Sequence, residues 1–308
     1  MKRILALTLA GISTLMILAG CGNKEVIQDK NLTFGILPAE SAIPIIIAKE
    51  KGFFEKEGIN LDLQAFNAPN DRDAAVQAGK IDGIIADTMT SLTYHEAGIP
   101  MKITSDINED FKLLTSPNSG IDTFEKLNNK DVSIVPNYVL EYIMDKMAEK
   151  NNIKYKITMI PSFTARFEAL LADQISGVIF TEPQATMLAA KGAKVLATSK
   201  EYGIKAGSIL FSESSITTKS NAIKNFYKAY NDAVDYMSNT DAKEYSEILK
   251  KYNFPDAITG YLNGNAKYEK AGKVTEETFV DVLKWTKSKG TVKKDYKFED
   301  ISNFEFIK

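Results

Sequence analysis

Twice in succession the chain passes through short apolar segments separated by helix-like ones, and this repeated alternation limits the fold more than any other feature. In the first block, residues 32–37, 59–66, 81–86, 101–107 and 111–116 read as strands. Between them Pro44 opens an apolar helix that stops at Gly52, residues 71–78 form a helix ended by Gly79, and Asp87 can cap a third. Proline in a first turn and glycine just past a last one are the expected punctuation. In the second block, residues 131–135, 156–160, 176–180 and 194–197 are strand-like. Val139, Leu140, Ile143, Met144 and Met147 make a helical stripe, and residues 165–172 and 182–190 supply two more helices. Strands alternating with helices predict an α/β fold with mostly parallel sheets covered on both faces. After an extended segment at residues 207–212 the pattern changes. Ile223, Phe226, Tyr230, Ala233 and Met237 mark an amphipathic helix, and residues 243–252 and 275–288 also look helical.

The N-terminus has its own pattern. Lys2 and Arg3 precede a charge-free, mostly apolar run from Ile4 to Leu18, followed by Ala19, Gly20 and Cys21. The run is short for a bilayer span, which takes about 20 apolar residues. Small residues before a cleavage point mark a secretory signal peptide. Leu18-Ala19-Gly20-Cys21 matches the bacterial lipobox, so residues 1–20 are expected to be removed and Cys21 lipidated. At about 0.8 kcal/mol per buried CH₂, two or three acyl chains would hold a soluble domain on the extracytoplasmic face of the cell membrane. Residues 21–30 are polar and read as a tether. Cys21 is the only cysteine, which excludes disulfides and cysteine catalysis from the mature domain. The formal charge is −2, and the signal segment carries two bases and no acid, so the mature domain is more acidic still. Nucleic acid, which needs a basic footprint, is not an expected partner.

In open α/β sheets, ligands bind beyond the carboxyl ends of the strands. That rule selects residues 38–43, 67–69, 87–90, 136–138, 162–166 and 181–183. From these the expected ligand contacts are Pro38, Ser41, Ile43, Asn67, Asp87, Thr88, Thr90, Asn137, Tyr138, Phe163, Arg166 and Glu182. Each has a plainer reading. Asp87 is an N-cap candidate. Thr181-Glu182-Pro183-Gln184 has the capping-box pattern, with Thr181 as the cap and Gln184 reaching back. Arg72 reads as a solvated helix residue. His95, the only histidine, sits near a helix end and reads as a packing or capping residue. The chain has no G-x-S-x-G, no P-loop and no dinucleotide-binding glycine pattern. One histidine and no free thiol leave little for metal or serine–histidine chemistry. A binder of a small molecule is expected, with no catalytic residues, cofactor or metal.

Four stretches carry a resemblance to a known family. The first is Pro38-Ala39-Glu40-Ser41-Ala42-Ile43-Pro44 leading to Lys51-Gly52-Phe53-Phe54-Glu55-Lys56-Glu57-Gly58-Ile59. The second is Ala74-Ala75-Val76-Gln77-Ala78-Gly79-Lys80-Ile81-Asp82-Gly83. The third joins Ile121-Asp122-Thr123-Phe124-Glu125-Lys126-Leu127 to Asp131-Val132-Ser133-Ile134-Val135-Pro136, and the fourth joins Arg166-Phe167-Glu168-Ala169-Leu170-Leu171-Ala172 to Ile179-Phe180-Thr181-Glu182-Pro183. In this order and spacing they resemble the type II solute-binding proteins of ABC importers, in the NMT1/THI5-like and SsuA/TauA-like group.

The resemblance implies a two-lobed periplasmic-binding fold with a central cleft, crossovers near residues 111–116 and 207–215, and closure about a hinge. Lobe 1 would hold residues 31–115 and 211–308, and lobe 2 residues 116–210. It also implies a monomer that works with an ABC permease and its ATPase. Anion-binding members often carry a Gly-Ser or Gly-Thr pair where this chain has Pro136-Asn137-Tyr138-Val139. That departure offers Tyr138 for stacking. Around the cleft, Glu40, Asp87, Glu141 and Glu182 outnumber Arg72 and Arg166. Both points lean the expected ligand toward a pyrimidine, a thiamine precursor or another vitamin-like ring. A small anion such as an alkanesulfonate or nitrate is the alternative. An enzyme of the thiamine-pyrimidine or menaquinone synthesis type is a further one.

Overall fold

The computed structural model describes residues 30–264 and 266–307. The expected signal peptide, Cys21 and most of the tether lie outside them. Ten strands follow in chain order: β1 (Asn31–Ile36), β2 (Asn60–Ala65), β3 (Gly83–Asp87), β4 (Met101–Asp106), β5 (Lys112–Thr115), β6 (Asp131–Ser133), β7 (Lys156–Thr158), β8 (Gly177–Phe180), β9 (Lys194–Thr198) and β10 (Gly207–Ser212). They form two five-stranded sheets, ordered β2-β1-β3-β10-β4 and β7-β6-β8-β5-β9. Within each sheet the first three strands are parallel, and the fourth runs antiparallel to both its neighbours.

Each sheet therefore takes its antiparallel strand from next to a crossover. The chain leaves the first sheet after β4 and enters the second at β5, then leaves after β9 and returns at β10. The crossovers are thus residues 107–111 and 199–206, not 111–116 and 207–215. Residues 112–115 belong to the second sheet and 207–210 to the first, opposite to the boundaries expected above. The apolar character of these strands was legible, but a hydrophobic run does not say which sheet it joins.

The helices that bear on the site are α1 (Ile43–Glu50), α2 (Pro69–Gln77), α3 (Thr88–Glu96), α4 (Val139–Lys150), α5 (Phe163–Leu171), α6 (Gln184–Ala190), α7 (Ser220–Ser238) and α8 (Glu276–Ser288). The stripe Ile223, Phe226, Tyr230, Ala233 and Met237 of α7 is buried against the first lobe, with α1 beneath it. The expected helix over residues 243–252 is a 3₁₀ turn, Ala242–Tyr245, followed by a short helix, Ser246–Lys251. Every residue of β3 and β8 is buried, as continuous apolar runs between covered faces require.

Helix α8 packs on α3 of the first lobe and reaches α4 of the second through polar contacts. Asp281 accepts from Tyr142 Oη at 2.5 Å and Lys146 Nζ at 2.7 Å. Trp285 Nε1 donates to Asp145 at 2.8 Å, and Lys289 lies between Glu141 and Asp145. These contacts hold the two lobes together along one side.

Candidate functional site

Loops after the carboxyl ends of β1, β3, β6 and β8 meet the first crossover around a chamber of about 90 Å³. Its wall includes Ser41, Arg72 from α2, Asp87 at the end of β3, and Glu109 and Phe111 from the crossover. The second lobe contributes Tyr138 at the start of α4, Phe163 and Arg166 from α5, and Phe180 from β8.

Most polar groups here are satisfied by the protein. Arg72, 2% exposed, gives Nε and Nη2 to Asp73 Oδ1 at 2.9 and 2.8 Å, and Nη1 to the Ile85 carbonyl at 2.8 Å. It is a buried, fully engaged group, not the solvated residue its polar neighbours suggested. Asp73 also accepts from Tyr94 Oη at 2.6 Å and from Tyr138 Oη at 3.1 Å, the latter a bond between lobes. Asp87 caps α3 by accepting from the Thr90 amide at 2.7 Å, and burial holds its carboxyl above the usual range.

Arg166 is different. Its side chain is 1% exposed, and neither Nε nor Nη1 has a hydrogen-bond partner. No carboxylate pairs with it among the described residues. Its guanidinium carbon sits 5.0 Å from the ring centroids of both Phe163 and Phe180. Burial lowers its pKa to about 10, so it stays charged at neutral pH. Ser162 caps α5 by accepting from the Ala165 amide, which sets the first turn that carries Arg166. Glu109 is the second unusual group. Ser41 Oγ donates to its Oε1 at 2.5 Å, and withdrawal from water raises its carboxyl to about 8.

A larger cavity, about 650 Å³, lies beyond Glu109 and is lined by Glu40, Lys112, Glu182, Tyr261 and the second crossover. Its inner groups answer one another. Lys112 lies 3.3 Å from Glu182 and 3.6 Å from Asp110, with its ammonium 4.9 Å from the Tyr261 ring centroid. Glu40 accepts from the Asp110 amide at 2.6 Å. Unmet hydrogen-bonding capacity, rather than volume, singles out the smaller chamber.

Of the residues expected at the site, the fold brings Ser41, Asp87, Tyr138, Phe163 and Arg166 into this chamber. The others lie outside its lining. Ile43 is fully buried in the first-lobe core, and Asn67 is exposed. Pro38 meets the second lobe through its carbonyl, which accepts from Gln184 Nε2 at 3.4 Å. Thr88 lies by the second crossover, 3.3 Å from Ser208 Oγ, and Thr90 is buried on α3. Asn137 adopts a left-handed φ of 68° and turns its amide onto Glu141 at 2.6 Å. Glu182 is 1% exposed and accepts from the Thr186 amide at 2.9 Å. Pro183, not Thr181, is the N-cap of α6, Glu182 takes an amide of its first turn from one position earlier, and Gln184 reaches to Pro38 instead of back. The acids whose number suggested a cationic or neutral ligand are largely spoken for: Glu141 by Lys289, and Glu182 by Lys112. Sequence reasoning missed Glu109; Arg72, counted among the bases around the cleft but read as solvated, lines the chamber as a buried group. His95 gives Nδ1 to the Ser91 carbonyl contact at 2.9 Å and packs on Tyr296, away from the chamber.

Two consequences are measurable. Tyr138→Phe keeps the ring but removes the bond to Asp73 that joins the lobes. Ligand affinity should fall about 3–10-fold, the worth of one such hydrogen bond, in a calorimetric titration. The second concerns pH. Glu40 and Glu109 bind protons more tightly folded (about 7 and about 8) than at their ordinary 4.5. Between those values the native state holds more protons than the unfolded one, so stability falls as pH rises. The ligand-free protein should melt a few degrees lower at pH 8.5 than at pH 5.5. A Glu40→Gln/Glu109→Gln double variant should flatten that slope.

Two α/β lobes joined by two crossovers, with a polar chamber at the strand ends between them, define the bilobal solute-binding fold. The pattern of the family described as NMT1/THI5 like matches residues 40–243, and the chain belongs to that family. A Bacillus subtilis (strain 168) protein named for aliphatic-sulfonate binding is 29% identical over 134 residues, covering 40% of each chain. A 4-amino-5-hydroxymethyl-2-methylpyrimidine phosphate synthase of Schizosaccharomyces pombe (strain 972 / ATCC 24843) is 30% identical over 95 residues, 30% of this chain and 28% of that one. The matches thus span well under half of either relative. Among solved structures, the periplasmic aliphatic sulphonate binding protein SsuA from Escherichia coli aligns with a TM-score of 0.75 at 15% identity, covering 89% of this chain and 97% of that one.

Proposed function

We propose that this chain is the extracytoplasmic solute-binding component of an ABC importer, anchored through lipidated Cys21. It would capture a small molecule bearing an anionic group between its lobes and deliver it to a permease and ATPase. The observation that carries the ligand class is Arg166, a buried guanidinium with two unpartnered N–H sites and no carboxylate beside it. A planar or tetrahedral oxyanion satisfies such a group with charge-assisted bonds. The sulfonate-binding name of the Bacillus subtilis relative agrees with this reading. Ser162 takes one amide at the start of α5, whereas the first turn of α4 has no side-chain cap and lines the chamber beside Arg166, so its amides can share the oxyanion with the guanidinium. Binding without turnover is the activity proposed, in keeping with the binding-protein name of the Bacillus subtilis relative.

A second reading keeps one specific observation: Phe111, Tyr138 and Phe163 line the chamber, and a flat pyrimidine-type ring could lie among them. The test is a titration of the purified mature chain with ethanesulfonate, nitrate and an aminopyrimidine, with each compound recovered and weighed by mass spectrometry. Binding of an anion that disappears in Arg166→Met, with the compound recovered unchanged, is the expected result. Binding of the aminopyrimidine alone, insensitive to Arg166→Met and weakened by Tyr138→Ala, would replace the anion with the ring. A chemically altered compound would mean an enzyme.

A further inference from the structure

Among the polar side chains of the chamber, Arg72 and Asp87 are engaged by the protein, whereas Arg166 has unpartnered Nε and Nη1 and the half-buried Glu109 is held through Oε1 alone. Glu109 stands on the first crossover, midway between the lobes, and lines both cavities. Its carboxyl is seated by the Ser41 hydroxyl and by the space that Gly207 leaves. Ser41 Oγ fixes Oε1 at 2.5 Å, and Oε2 occupies the space beside Gly207 at the end of the second crossover. A Cβ at residue 207 would stand 2.8 Å from that oxygen and 2.9 Å from Ile107 Cγ2. No basic side chain forms an ion pair with Glu109 among the described residues; Arg72, Glu40 and Asp87 are the charged groups around it.

We propose that Glu109 is the specificity-determining residue of the chamber, exchanging a hydrogen bond with a hydroxyl or amine on the ligand while Arg166 holds its anionic group. This rests on the anion reading of Arg166. It narrows the ligand class to small acids that also carry a hydroxyl or amine. A site that hydrogen-bonds a ligand hydroxyl or amine rejects analogues that lack it, because the bound analogue covers the carboxyl and leaves it unpaired.

Two probes of equal heavy-atom count separate the ideas: 2-hydroxyethanesulfonate, which has the donor, and propane-1-sulfonate, which has a methyl group in its place. Wild type should favour the hydroxylated probe by about tenfold or more. Glu109→Leu should bring that ratio to within about twofold, and Glu109→Gln, which keeps an acceptor oxygen, should retain part of it. Gly207→Ala, which displaces the carboxyl without altering it, should reduce the ratio as Glu109→Leu does. Melting curves of each variant confirm that it is folded. An unchanged ratio in folded Glu109→Leu, or equal affinity of wild type for both probes, overturns the role of Glu109 alone. If neither probe binds wild type, the anion reading falls and takes this assignment with it.

Discussion

Arg166→Met will leave the ligand-free protein more stable than wild type and nearly unable to capture its ligand. The two effects have one cause. The guanidinium is 1% exposed, with Nε and Nη1 unsatisfied, and among the described residues two aromatic faces lie against its charge. A buried unsatisfied polar group costs about 1–3 kcal/mol, and a charged one more. Methionine is unbranched, adaptable and apolar, and fills such a space without that penalty. A gain of about 2 kcal/mol would raise the melting temperature by several degrees in calorimetry. Two charge-assisted hydrogen bonds lost to the ligand, at about 1.5–3 kcal/mol each, would weaken binding at least a hundredfold. A variant that melts lower than wild type without ligand would show that Arg166 serves the fold instead. Stability held in reserve for a partner is the usual signature of a binding group.

Gly83→Val should prevent folding, and Gly83→Ala should cost about 3 kcal/mol or more. Gly83 opens β3, which lies between β1 and β10 in the first sheet. A Cβ there would stand 2.5 and 2.7 Å from ring atoms of Phe211 and 2.9 Å from Phe34. Those rings cannot retreat: Phe34 stacks on Phe226 at 4.9 Å between centroids, and Phe226 meets Phe211 at 5.4 Å. Close-packed interiors have no space to absorb the added carbon atoms. Chemical denaturation of the alanine variant gives the number, and the soluble yield of the valine variant gives the limit. A near-neutral alanine variant would mean that the Phe211 ring moves more freely than its neighbours allow.

The periodic segments were readable because strand and helix patterns are local. The strand-end rule selects Ser41, Asp87, Tyr138, Phe163 and Arg166, which line the chamber, for the same reason: each follows a recognisable strand. What escaped was non-local. Glu109 sits in Ile107-Asn108-Glu109-Asp110-Phe111, which reads as an ordinary polar link between two apolar runs. Only the crossover geometry turns it into a wall of the chamber. Arg72 lies in a polar helical turn, and its neighbour Asp73 does not fall at the spacing of a helical ion pair. Counting acids near the cleft does not give its charge for a related reason, since Glu141 is answered by Lys289 from 148 positions away. Charge becomes meaningful only after distant partners are known. The crossover boundaries were displaced because β5 and β10 each belong to the sheet that the chain is entering.

That exchange of strands also sets an order of assembly. Residues 112–198 contain every strand of the second sheet, so this half can finish as soon as it is available. The first sheet cannot. Its strand β10 lies between β3 and β4, and Ser208 meets Thr88 across 120 positions. Until β10 arrives, β4 has no neighbouring strand and β3 presents a bare row of amides and carbonyls. Pairings of such long sequence separation are slow to form, and open strand edges invite association between chains. In a chain made from its N-terminus, the half begun first is completed last, and its exposed edge is where misassembly would start.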